Sequence, residues 1–283
     1  MSTLKNFKTM MSDPKLAKAY FRWIGSTLVF GRRPGIQIAS DIYIREWLSF
    51  SEFWSFQGGI PLQERRFVER CLSGVADQSL TSFDIGANIG VFSCFMAGLG
   101  AKVHAFEPIP KTFCRLKENV QGNELLDRVQ LNCLAVGREQ GLVKFHIEER
   151  DAATNRMVAP GQHFGKAATS TQLVATISLD EYCRENGIQQ IDFLKIDVEG
   201  MEPYVLEGAR ALLTERRIKA LLIEICPVNL LSVGASALDL YRQFDVVGYS
   251  PYALTMEGAL GDRLSLEAIE TTKLANVALL PDA

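Results

Sequence analysis

The chain has 283 residues, 47% of them hydrophobic and 22% charged, with 30 basic side chains against 33 acidic ones and a net charge of −3. Such a composition describes a globular chain long enough to bury a full core, and it excludes disordered and fibrous classes. The slight acidity argues against a mainly electrostatic nucleic-acid binder, which carries a basic footprint.

The six cysteines, Cys71, Cys94, Cys114, Cys133, Cys183 and Cys226, form no C-x-x-C pair and no Cys/His cluster. Zinc-ribbon and thioredoxin readings therefore fail. No secretory leader is apparent, so reduced, mostly buried thiols in a cytoplasmic protein are expected. No stretch reaches the ~18 apolar residues that span a bilayer, so no integral membrane segment is expected.

Ser12 or Asp13 can cap a first helix that Pro14 opens, with Leu16, Tyr20, Trp23, Ile24 and Leu28 on one face. That stripe reads as packing, with a substrate lid or a homodimer contact as the sharper alternative. Ile36, Ile38, Ile42 and Ile44 then alternate as a strand, expected in a hairpin. Trp47, Phe50, Phe53, Trp54 and Phe56 follow as either core or the wall of a pocket for a bulky organic substrate. Pro61 starts a helix that runs to Leu72.

From about residue 79 short apolar strands alternate with helical stretches: Leu80–Ile85, Val103–Glu107, Val129–Leu134, Phe193–Asp197 and Ala220–Ile225. That alternation predicts an α/β fold with a doubly wound, mostly parallel sheet. Between the third and fourth strands lies an insertion at about 140–177, with strands at Gly141–Ile147 and Leu173–Ile177 flanking a loop. Ser178 and Glu181 have capping-box spacing, so a helix is expected from Leu179 to Gly187. Phe244–Ser250 and Asn276–Leu280 read as two final strands. The expected division is residues 1–75 as an N-terminal helical and hairpin appendage and 76–283 as the main domain.

The first sheet strand runs into Asp84-Ile85-Gly86-Ala87-Asn88-Ile89-Gly90. A glycine turn between strand and helix lets a ligand approach the backbone, at the switch point where doubly wound sheets bind ligands. A dinucleotide fingerprint needs G-x-G-x-x-G, but Asn88 stands at the second glycine position and Val91 at the third. The phosphate-cradling reading, and with it a dehydrogenase, is disfavoured. Glu107, 21 residues beyond Gly86 and followed by Pro108, ends the second strand and can accept both hydroxyls of a ribose.

The fourth strand ends Lys195-Ile196-Asp197-Val198-Glu199-Gly200, with Lys195 and Asp197 on one face. Charges seldom sit unpaired in a buried strand. A purely structural ion pair is the competing reading. Glu224 adds a third carboxylate at the edge of the fifth strand, so Asp197, Glu199 and Glu224 can converge as a base, a substrate anchor or Mg²⁺ ligands.

With FDIGANIGVFS, HAFEPIP, FLKIDVEGMEPYVLEGA and LLIEI in hand, the chain resembles class I S-adenosylmethionine-dependent methyltransferases, and among them the FkbM family, over roughly residues 60 to 281. The resemblance implies a Rossmann-like seven-stranded sheet whose last strand is antiparallel. It implies that Asp84, Gly86, Ala87, Asn88 and Gly90 hold the methionine end of the cofactor, that Glu107 and Pro108 lie at the ribose, and that Ala135, within 133–136, lies near the adenine. It further implies O-methylation of a small hydroxylated molecule, a polyketide-like natural product or a sugar, with a glycan or glycolipid sugar as the alternative. Asp197 is expected as base or metal ligand, Lys195 as its orienting partner, Glu224 as second acid, and Glu199 as substrate orienter or as the group closing the helix near Pro203. Mg²⁺, if present, would sit on Asp197 and Glu224. His104, His146 and His163 read as structural or surface groups, His163 being the best outsider for a base. A nucleic-acid methyltransferase and a non-catalytic cofactor-binding protein are weaker alternatives.

Overall fold

The computed structural model describes residues 35–45, 59–73, 80–147, 156–157, 170–272 and 275–282, with the isolated positions 14, 18 and 21. The Leu16–Leu28 stripe, the Trp47–Phe56 aromatics and His163 lie outside the described residues.

Strands β1 (Ile36–Gln37) and β2 (Tyr43–Ile44) pair antiparallel as the expected hairpin. Its four isoleucines all turn into the core. Helix α1 (Leu62–Leu72) follows, with Pro61 just ahead of it. Next come β3 (Thr81–Ile85), α2 (Val91–Gly98), β4 (Lys102–Phe106), α3 (Pro110–Gly122), β5 (Val129–Asn132) and β6 (Ala135–Val136). The insertion forms β7 (Gly141–Ile147), β8 (Arg156–Met157) and β9 (Ser170–Ile177), which with β6 make a separate four-stranded sheet. The chain then runs through α4 (Leu179–Glu185), β10 (Phe193–Ile196), α5 (Glu202–Glu207), α6 (Arg210–Thr214), β11 (Leu221–Ile225), α7 (Pro227–Ser232) and α8 (Ala237–Val247). It ends with β12 (Tyr249–Leu254), β13 (Leu260–Arg263), α9 (Leu266–Thr271) and β14 (Ala275–Pro281).

The main sheet has the order β13-β12-β14-β11-β10-β3-β4-β5. β3, β4, β5, β10 and β11 are parallel, and β14 runs antiparallel between β11 and β12. The order reverses between β3 and β10, so the site falls at the carboxyl ends of those two strands. The sheet has eight strands instead of seven because β12 folds back into the short β13 at the edge. The strand expected at Phe244–Ser250 is displaced. Ser236 and Asp239 form a capping box that nucleates α8 through Val247, Gly248 ends it in the left-handed conformation, and β12 starts at Tyr249.

Each sheet face has its own apolar core. Phe67, Val68 and Leu72 of α1 and most of α2 pack on the face carrying Phe193, Leu222 and Ala278, where the Phe67 and Phe193 rings lie 6.0 Å apart. Helices α4, α5, α6 and α8 cover the opposite face, on Leu194, Ile196, Leu221 and Ile223. Those alternating strand residues point to opposite sides of the pleat. None of the six cysteines is in a disulfide. Cys94 and Cys183 are buried, but Cys114 and Cys133 are exposed, which corrects the expectation of mostly buried thiols. Among the described residues no helix is long and apolar enough to cross a membrane.

Candidate active site

The glycine turn is bent by the neighbouring strand. The amides of Gly86 and Ala87 both donate to the Phe106 carbonyl, at 3.0 and 2.9 Å. Gly86 has φ +81°, and a Cβ there would run into the carbonyl oxygen of Asp197. Only glycine combines that conformation with that closeness. The turn thus lies directly against the end of β10.

Two acids hold this region. Asp84 is buried at the end of β3 and accepts from Ser93 Oγ at 2.5 Å. Burial pushes its pKa up to about 6, opposed by the Ser93 bond and by Lys195. Glu107 is buried at the tip of β4. Its two oxygens accept from the amides of Asn88 (3.1 Å) and Ile109 (2.9 Å), which locks the carboxylate across the mouth of the turn. Burial raises its pKa to about 7 against those two bonds. Asn88 has φ +49°, and its Oδ1 is buried with no hydrogen-bond partner among the described residues.

Register carries the remaining groups to the same face. Lys195 pairs with Asp84 on one side and Leu222 on the other, and Glu224 is two residues beyond Leu222. Lys195 Nζ donates to Asp197 Oδ2 at 3.1 Å and lies 5.2 Å from the centre of the Phe92 ring. Burial would lower the lysine pKa, but Asp197, Glu224 and Asp84 together raise it, so the ammonium stays charged. Asp197, Glu199 and Glu224 each bring a carboxylate oxygen within 4.8 Å of the others. Burial, and after it the neighbouring Asp197 carboxylate, raise the Glu224 pKa to about 8, so Glu224 holds a proton at neutral pH.

These acids, Lys195 and Asn88 line one cavity of about 270 Å³, which Pro108 and Ala135 also border. Its walls include Phe92 and, from the insertion sheet, Phe145. A larger cavity of about 520 Å³ lies at the opposite end of the sheet, near Leu221 and Tyr249. It brings no cluster of carboxylates together, so the smaller cavity is where charge can act on a reacting group.

Residues 84–251 match the family described as the Methyltransferase FkbM domain. The chain belongs to that family. FkbM-domain proteins are S-adenosylmethionine-dependent methyltransferases, and this chain is one. Among its curated relatives, the 2-O-methyltransferase NoeI of Sinorhizobium fredii is 30% identical over 192 residues, 62% of this chain and 78% of that protein. The hexuronic acid methyltransferase AglP of Haloferax volcanii is 31% identical over 163 residues, 56% of this chain and 61% of that protein. The 31-O-demethyl-FK506 methyltransferase FkbM of Streptomyces tacrolimicus is 32% identical over 152 residues, 44% of this chain and 58% of that protein.

Within this FkbM domain every site residue named from the sequence borders the one cavity, except Gly90. Gly90 instead ends the turn with φ +89° as the residue preceding α2. Glu202, at the start of α5, folds the preceding loop onto itself, its Oε1 accepting from the amides of Val198 and Gly200 at 3.1 and 3.2 Å. Glu199 has φ +55° and is held by Asn229 Nδ2 at 2.6 Å. Glu202 was legible as the last acid of D-V-E-G-M-E, but Asn229 had no signal, because α7 brings it in from the next strand's loop. Among the histidines, His104 is structural. It stacks on Phe83 at 4.7 Å, shares a hydrogen bond with the Tyr182 hydroxyl, and burial lowers its pKa to about 4.

Proposed function

We propose that this chain transfers the methyl group of S-adenosylmethionine to a hydroxyl of a small hydroxylated acceptor. The observation that carries the reading is the Asp197–Glu224 pair beside Lys195, opening into the same cavity as the glycine turn and Glu107. In this reading Asp84, Gly86, Ala87, Asn88, Gly90, Glu107, Pro108 and Ala135 form the cofactor half of the site.

Transfer is an in-line displacement. The acceptor oxygen forms a bond to the methyl carbon, the carbon–sulfur bond breaks, and its electron pair leaves with the neutral thioether. The hydroxyl proton passes to Asp197. Lys195 fixes that carboxylate, and protonated Glu224 keeps the pair at one negative charge near neutral pH. Alignment can supply ~7–11 kcal/mol, and a positioned base typically 10²–10⁴-fold.

A sugar or uronic-acid hydroxyl is the preferred acceptor class. Aromatic Phe92 and Phe145 and the half-buried Glu199 suit a polar ring better than a wholly apolar one. A polyketide hydroxyl is the second reading, from the likeness to the FK506 enzyme. The appendage at 1–75 and the insertion at 140–177 are where acceptor contacts are to be sought. Transfer of labelled methyl to a uronic-acid glycoside, set against a macrolide alcohol, tests the choice. Labelling of the macrolide alone overturns the preference.

The three clustered carboxylates also suit a hard divalent cation, which takes oxygen ligands. Asp197 and Glu224 would hold Mg²⁺, which when bound would supply Lewis-acid polarisation of the hydroxyl. Chelator-insensitive turnover rules that role out.

A further inference from the structure

Helix α1 buries a charge where its pattern calls for an apolar residue. Its inward face is Glu64, Phe67, Val68 and Leu72, a helical stripe with a carboxylate at its head. Glu64 is only 6% exposed. A buried carboxylate is costly unless something pairs with it.

What meets Glu64 is the back of the candidate active site. Its Oε1 accepts from Asn276 Nδ2 at 2.9 Å. Asn276 is the β14 residue in register with Glu224. The Glu64 carboxylate is attracted by the Lys195 ammonium and repelled by Asp197. Lys195 is thus set among Asp84, Asp197 and Glu224, and its charge also reaches a fourth acid, brought by a helix that precedes the family domain at 84–251.

We infer that Glu64 is a positioning residue of the methyl-transfer site, a buried carboxylate that draws on Lys195 from behind and so sets the charge the cluster presents to the cofactor sulfonium. The inference rests on the proposed placement of the sulfonium beside Asp197 and Glu224. Its consequence is that α1 is part of the catalytic build and not only a cover for the sheet.

The sulfonium of S-adenosylmethionine is cationic and the sulfur of S-adenosylhomocysteine is neutral, so the ratio of their affinities reads the local charge. Calorimetry of the full chain with each compound, from pH 5 to 9, compares wild type with Glu64→Gln. Glutamine keeps the acceptor for Asn276 and removes only the charge. The ionisable groups that act on Glu64, Lys195 and Asp197, are common to both proteins. At pH 8 the preference for S-adenosylmethionine is expected to fall roughly five- to twenty-fold in Glu64→Gln, with affinity for S-adenosylhomocysteine unchanged. Burial raises the Glu64 pKa above the ordinary carboxylate range, so the two proteins are expected to draw together as pH falls. Glu64→Asp keeps the charge and should hold the wild-type preference within about threefold. It is also the variant to use if Glu64→Gln does not fold, with a preference at pH 8 that still declines toward pH 5.

Equal weakening of both compounds, or a preference that is the same in all variants at every pH, overturns the inference. So does a Glu64→Asp protein whose preference does not change with pH. Full turnover by Asp197→Asn would remove the proposed base while leaving this comparison to decide Glu64.

Discussion

Lys195 and Asp197 form an ion pair of 3.1 Å that is closed at one end and open at the other, the lysine side chain being 2% exposed and the aspartate 36%. The lysine end is set in the sheet between Asp84 and Leu222, while the aspartate end reaches the cavity. A buried cation thereby holds an accessible carboxylate still, which is the arrangement a general base needs.

Asp197→Asn is expected to bind S-adenosylmethionine within about threefold of wild type and to lose methyl transfer by roughly 10²–10⁴-fold. Calorimetry and single-turnover labelling measure the two separately. An unimpaired single-turnover rate would place the base elsewhere.

Lys195→Met should behave differently, because it leaves Asp84, Glu64, Asp197 and Glu224 without their common cation. Removing one partner of a buried ion pair costs about 3–5 kcal/mol. The melting temperature should drop most at alkaline pH, where more of those acids are ionised. A loss of turnover with an unchanged melting curve would contradict this picture.

Glu224→Gln tests the proton held on Glu224. With its pKa raised to about 8, Glu224 is protonated at pH 7, and glutamine imitates that form as a hydrogen-bond donor. Transfer at pH 7 should fall less than about tenfold, and any inflection in the pH–rate profile near 8 should vanish. A drop as large as that of Asp197→Asn would make Glu224 the base.

The stability of the cofactor-free chain should fall as pH rises. Asp84, Glu107 and Glu202 have pKa values raised by burial to about 6, 7 and 7. Between the ordinary carboxylate range and those values the folded chain binds more protons than the unfolded one. The stability these groups contribute is therefore complete below about pH 4 and is lost as pH climbs through 6 to 8. Scanning calorimetry should show a melting temperature lower by roughly 10 °C at pH 8.5 than at pH 5.5. A flat profile would mean the three carboxylates are not desolvated.

The sheet and the residues of β3 and β4 that line the cavity were legible because their signals are local. Strand spacing, the glycine turn and the acid ending β4 each lie within a dozen residues. Asp197 and Glu224 were legible as charges at the ends of apolar strands. Glu64, Asn229 and Asn276 were not, since each is an ordinary polar residue in its own segment and gains meaning only through a tertiary neighbour. The misplaced strand at Phe244 had a different cause. There the Ser236–Asp239 capping box, eight residues before Phe244, carries the helix through Val247.

Gly86 gives the sharpest test of how the two halves of the site are joined. The Asp197 amide donates to the Ile85 carbonyl at 3.0 Å, and the Asp197 carbonyl occupies the space a Gly86 Cβ would need. Gly86→Ala must therefore either push the end of β10 away or leave the left-handed conformation, and both movements separate the glycine turn from Asp197. Strain of this kind typically costs about 1–3 kcal/mol, which the large sheet core can absorb. The chain should stay folded with a modestly lower melting temperature. Affinity for S-adenosylmethionine should fall at least about a hundredfold, because the turn and the acids no longer face one cavity. Gly100→Ala is the control, since Gly100 also has positive φ but open space around its Cβ position. It should lose a little stability and no affinity. Equal losses of affinity in the two variants would show that backbone strain, not the contact with Asp197, is what matters at Gly86.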